Sequence, residues 1–140
     1  MSEAIYWLIL TATFTALQPL PYILERIFRI GLLSAMNYSK DSGHGDSNQP
    51  SEQTAAWAKR AYRAHYNSIE YLAIFGILVI SAHIISNGNA TVATAAMVYF
   101  FARVAHYIVY ILGIPVLRTL TFAVALTSLL TIAYTMIITT

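Results

Sequence analysis

The sequence predicts an all-α integral membrane protein built as a bundle of four spanning helices. Three observations carry that expectation. The chain is 58% hydrophobic and 10% charged, with a mean hydropathy of +0.61, whereas a soluble domain carries about 25% charged residues. Its apolar residues gather into runs long enough to cross a bilayer, which takes about 20 helical residues. Polar segments rich in Ser, Gly, Asn and Pro separate the runs, and these are turn and loop residues. A length of 140 residues fits one domain.

Each span has its own punctuation. The first is expected over about 4–34. No Lys or Arg precedes the apolar run from Ala4 to Leu17, and Glu3 is acidic, so the segment reads as an uncleaved span rather than a secretory signal. Gln18, Pro19 and Pro21 interrupt it, because proline removes a backbone donor and kinks a helix. The kink either opens a cavity or bends to follow its neighbours. Glu25 and Arg29 stand four apart and can pair. A polar loop follows over residues 37–53, with Ser51 or Thr54 as caps for the next helix and Trp57 at the interface.

The second span is expected over about 54–85, long enough for Lys59, Arg60 and Arg63 to project into the interface. Ser86-Asn87-Gly88-Asn89 forms a tight turn; Asn89-Ala90-Thr91 matches a glycosylation sequon by chance, since it abuts the third span at 90–112. Gly113 and Pro115 break that span, and the fourth runs over 115–138 with Arg118 and Thr119 in its opening turns. After Arg118 no charge follows. Arg26, Arg29, Lys40, Lys59, Arg60 and Arg63 flank the first loop and Arg118 the third. The positive-inside rule then makes these loops cytoplasmic, with both termini on the opposite side.

Composition excludes several functions. A net charge of +2, without basic residues interleaved with aromatics, does not suit nucleic acid. There is no cysteine, so any thiol must arrive on a substrate. His44, His65, His83 and His106 lack metal-ligand spacing, and no metal site is expected.

Two polar stripes enter the apolar spans. On a helix Arg60, Arg63, Asn67 and Glu70 share one face, continued by Ile74 and Ile77, with His65 pointing away. In the third span Tyr99, Arg103, His106 and Tyr110 share another. A charge facing lipid costs about 2.5–3.5 kcal/mol, so the stripes must meet protein, water or a polar ligand. They are either ion-paired glue between helices or a ligand site. The guanidinium forks suit carboxylates and Glu70 suits an ammonium, an inventory for a zwitterion or peptide. No Ser-His-Asp triad or paired-carboxylate site is present.

Arg63-Ala64-His65-Tyr66-Asn67-Ser68-Ile69-Glu70 resembles the RAHxNxxE signature of the MAPEG family, the membrane-associated proteins in eicosanoid and glutathione metabolism. The segment Arg103 to Tyr110, followed by Gly113, Arg118 and Thr119, is similar to that family's third- and fourth-helix site. The likeness covers nearly the whole chain apart from the first loop. It looks closest to the small bacterial members related to microsomal glutathione transferases, which implies a bacterial inner-membrane location.

The resemblance implies a homotrimer that binds glutathione between subunits near the cytoplasmic face. It implies that Asn67 and Glu70 hold the peptide's polar groups, Glu70 at the ammonium, with Arg63 and Tyr66 as further glutathione-binding residues. His106 and Tyr110 would line the site, Arg118 would lie by the sulfur, and Thr119 would supply a neighbouring hydroxyl. Arg26 or Arg29 would reach in from the adjacent subunit. Three features depart from the family pattern. Tyr66 stands where some eicosanoid-synthesising members have Arg, Phe122 stands where some members have Tyr, and the Tyr110–Arg118 spacing differs by about one residue from some relatives.

The implied activity is a membrane-bound glutathione transferase or glutathione-dependent peroxidase acting on lipophilic electrophiles. Glutathione serves as co-substrate, its thiolate stabilised by Arg118, with Tyr110 or Thr119 as alternative donors. The competing readings are a non-catalytic glutathione- or lipid-binding protein of the same fold, and a small transporter, which the lack of an internal repeat disfavours.

Overall fold

A computed structural model describes residues 2–35, 53–85 and 88–139. Ser51, Lys40, His44 and nearly all of the 37–53 loop lie outside the described residues. The described residues are helical: α1 (Glu3–Leu17), α2 (Leu20–Ile30), α3 (Ala56–Ile85), α4 (Ala90–Leu112) and α5 (Pro115–Thr139). Taking α1 and α2 together as one span, four helical segments among the described residues are long and apolar enough to cross a membrane.

The first span is not one helix. It divides at Gln18–Pro19, and α2 ends at Ile30, short of residue 34, where Gly31 takes φ +82°. Pro19 and Pro21 have no N–H, so they cannot continue the α1 ladder. The joint is packed and latched: Tyr107 of α4 donates its hydroxyl to the Gln18 carbonyl at 2.8 Å. Gln18 itself is 2% exposed.

Helix α3 packs through a seam of small residues. Ala58, Ala61, Ala64 and Ser68 recur every three or four positions and are all buried, which lets neighbouring backbones approach closely. A second core zone lies farther down the bundle, where Phe75 stacks on Tyr99 at 4.1 Å between centroids. Val79, Leu129 and Ile132 fill the space around it. Serine and threonine hydroxyls within the spans bond back to the carbonyl four residues earlier, as Ser68 does to Ala64 at 3.0 Å and Thr135 to Thr131 at 2.8 Å. No hydroxyl of this kind asks anything of the lipid.

The helix ends are built by side chains. Ser2 caps α1. Asn89 caps α4 by accepting from Thr91 and Val92 N–H at 2.9 and 3.2 Å, which gives that asparagine a structural role. Helix α3 opens at Ala56, two residues past Thr54; there Glu25 Oε1 accepts both the Arg29 Nε–H at 3.1 Å and the Ala55 N–H at 3.3 Å. Arg29 also donates to Thr54 Oγ1 at 3.4 Å. The Glu25–Arg29 pair thus fastens the end of α2 to the start of α3.

Candidate functional site

The polar residues of α3 collect at one end of the bundle, but they do not act as one stripe. Arg60 leaves it. Its Nε–H donates to the Ile111 carbonyl at 2.7 Å, closing an orphan acceptor in the last turn of α4. The guanidinium lies 3.3 Å from where a Cβ on Gly113 would stand. Arg63 and Glu70 are exposed, and Asn67 is half-buried between them. Ile74 and Ile77 continue that face and are 48% and 67% exposed. Arg29–Glu25 is the single ion pair among the described residues, so the glue reading of this stripe finds no pair in Arg63 and Glu70.

The stripe on α4 also divides. Tyr99 and Arg103 are turned into the protein, at 1% and 2% exposure. Arg103 Nη1 donates to Asn67 Oδ1 at 3.1 Å and Nη2 to Ser68 Oγ at 3.0 Å, while its Cζ lies 5.7 Å from the Tyr71 ring centre. His106 is likewise buried. Its Nδ1 lies 3.2 Å from both the Arg118 carbonyl and Thr121 Oγ1. A carbonyl only accepts, so Nδ1 carries the proton. His106 therefore ties α4 to the first turns of α5.

Those turns carry Arg118, an exposed residue whose Cζ stands 5.0 Å over the Tyr110 ring. A guanidinium over an aromatic face is oriented by the ring quadrupole. No described carboxylate pairs with it. Thr119 is exposed and gives its hydroxyl proton to the Pro115 carbonyl at 3.1 Å, which leaves Arg118 as the full charge at this position. Phe122 sits against Tyr71 at 5.4 Å and His106 at 6.1 Å between ring centres, filling the space behind.

Arg26 and Tyr66 lie elsewhere. They line a cavity of about 480 Å³ between α2 and α3, together with Tyr22, Tyr62, His65 and Ile69. Tyr22 Oη and His65 Nδ1 are 2.9 Å apart. On α3 the Tyr62–His65–Ile69 face is turned roughly 130° from the Arg63–Asn67–Glu70 face. The chain thus shows two polar surfaces at the same end, facing different directions. A third feature, an apolar groove of about 730 Å³ between α4 and α5, begins at Leu120 and runs past Val98, Val124 and Thr127.

The sequence reading missed Ser68, Tyr71 and Thr121 as partners of the polar residues, and Tyr22 as the partner of His65. Tyr71 was within reach of the spacing rule, four residues past Asn67. Tyr22, Ser68 and Thr121 had no such signal. Among the described residues no group of His, Asp and Glu could hold a metal ion.

The fold and site define a membrane helical bundle with polar and basic side chains gathered at one end. The sequence profile of the MAPEG family matches residues 4–138. The chain belongs to that family, whose members include glutathione-dependent enzymes and non-catalytic proteins. No curated protein and no solved structure matches the chain.

Proposed function

We propose that the protein is a membrane-bound glutathione transferase or glutathione-dependent peroxidase, working as a homotrimer on lipophilic electrophiles. The observation that carries this reading is the charge balance around Arg118. Arg63, Arg103 and Arg118 put three guanidiniums on the polar faces of α3, α4 and α5, where the carboxylate is Glu70, and among the described residues none of the four forms an ion pair. The site demands an anion. Glutathione carries a net charge of about −1 as thiol and −2 as thiolate, so the surplus favours the thiolate.

The two polar surfaces support a subunit interface. A head-to-tail interface brings different patches together and closes into a ring. In such a ring Arg63, Asn67 and Glu70 of one subunit face Tyr22, Arg26 and His65 of the next. Of the two arginines of α2, Arg26 lines this second surface, whereas Arg29 is turned to Glu25 and Thr54. The exposed apolar residues around Arg118, such as Val116 at 68% and Leu120 at 56%, are the kind of surface a neighbour covers.

In the reaction Arg118 stabilises the thiolate and Tyr110 orients Arg118 from below. The thiolate attacks an electrophilic carbon, forming the S–C bond as the leaving group departs, or, with an activated alkene, as the adjacent carbon takes a proton; with a hydroperoxide it attacks the outer oxygen, the O–O bond breaks, the alcohol leaves, and a second glutathione converts the sulfenic acid to the disulfide and water. The groove at Leu120 gives an apolar acceptor a path along α5 to this point. The positive-inside rule supports a site that faces the cytoplasm, and the likeness to small bacterial members supports a bacterial inner membrane. The test is turnover of purified protein with glutathione against a panel of aryl halides, activated alkenes and lipid hydroperoxides. Saturable glutathione-dependent turnover is expected. Glutathione binding without turnover of any class would favour a non-catalytic binding protein.

A further inference from the structure

Resting on the glutathione reading, we propose that Arg103 is a positioning residue that locks Asn67 as a hydrogen-bond donor, aimed at the α-carboxylate of the bound amino-acid end. Arginine has five donors and no acceptor. The atom of Asn67 that faces Arg103 at 3.1 Å must therefore be its carbonyl oxygen. The amide cannot flip without setting its NH2 against a guanidinium. Its two N–H groups point away from Arg103, and they donate to no described residue.

The other partners of Arg103 hold the same polarity. Ser68 has one hydroxyl proton and gives it to the Ala64 carbonyl at 3.0 Å. Its oxygen is left to accept from Arg103 Nη2 at 3.0 Å. Tyr71 offers a ring face. The hydrogen-bonding partners of this buried guanidinium are thus neutral, and its charge is passed outward through the Asn67 amide rather than cancelled. A group that binds at that amide must be an acceptor, and an anion binds best.

Glu70 follows Asn67 by three positions, so the two side chains are about 5–6 Å apart on the same face. That separation suits the adjacent carboxylate and ammonium of one α-amino acid. The order along α3 is then donor first, carboxylate second, and it selects the γ-glutamyl end of glutathione by both groups at once.

The test uses the full chain in detergent and two probes: glutathione, and a glutathione analogue with hydrogen in place of the γ-glutamyl α-carboxylate. Dissociation constants are measured by calorimetry, with thermal midpoints alongside. The wild type should bind the analogue about 10- to 100-fold more weakly than glutathione. Asn67→Asp should keep or raise the thermal midpoint, because the new carboxylate pairs with Arg103. It should weaken glutathione about 100-fold yet weaken the analogue less than about 10-fold. Arg103→Lys, which keeps the charge but loses the fork, should narrow the gap between the two probes. Equal affinity of the wild type for both probes, or equal losses for both in the variants, would overturn this proposal alone. Failure of the wild type to bind either probe would overturn the glutathione reading with it.

Discussion

Replacing Arg118 with leucine separates thiolate stabilisation from binding. A free thiol has a pKa of about 8.5, so only about 3% is thiolate at pH 7. A guanidinium about 4 Å from the sulfur, at an effective dielectric of about 20, is worth about 4 kcal/mol. Arg118 is exposed in the single chain, and solvent screening reduces that figure to one or two pKa units, at about 1.36 kcal/mol each. The bound thiol then titrates near about 7, and roughly half is thiolate at neutral pH. Arg118→Leu should raise the bound thiol's pKa by one to two units and cut thiolate at pH 7 about 10- to 30-fold. Glutathione should still bind through Arg63, Asn67 and Glu70. The assay is the ultraviolet absorption of the thiolate, titrated with glutathione bound. The chain has no cysteine to interfere, and its ten tyrosines confine the titration to below about pH 9. An unchanged thiol titration in the variant would refute the role and shift attention to the Tyr110 hydroxyl.

Three other outcomes are expected. Glu70→Gln should weaken glutathione about 10-fold by calorimetry and leave assembly intact, since no described ion pair depends on Glu70; loss of assembly would make it a structural residue. Gly113→Ala should lower stability by about 1–2 kcal/mol in thermal unfolding, because Gly113 has φ +77° and its new methyl would press on Arg60 at 3.3 Å; an unchanged midpoint would show that the turn relaxes freely. Tyr107→Phe should cost about 1–3 kcal/mol by leaving the Gln18 carbonyl without its donor at the α1–α2 joint, and a neutral result would mean that water replaces the hydroxyl there.

The helical class and the membrane spans were legible because a spanning helix must satisfy every backbone group internally and cover it with apolar side chains. Gly113 and Pro115 mark the α4–α5 turn by their own backbone limits, one with a left-handed φ and the other opening α5. The split of the first span was less legible. Pro19 and Pro21 announced a break, but whether it opens or packs depends on Tyr107, 89 residues away from Gln18. The polar stripes show the same limit. Helical periodicity put Arg60 with Arg63 and Arg103 with His106, yet long side chains reach around a helix. Arg60 turned to a carbonyl on α4, and Arg103 turned to Asn67 on α3. Periodicity gives the face of a Cα, and partners across helices decide where a guanidinium ends.

The central claim is that glutathione sits between subunits at the Arg118 end. It is tested most directly by measuring glutathione binding and detergent-corrected mass on the same purified sample. A species of three chains that binds glutathione saturably, and loses that binding when Arg26 is replaced by Ala with assembly intact, is the predicted result. A monomer that binds glutathione as tightly as the assembled protein, or a trimer that does not bind it, would contradict the account.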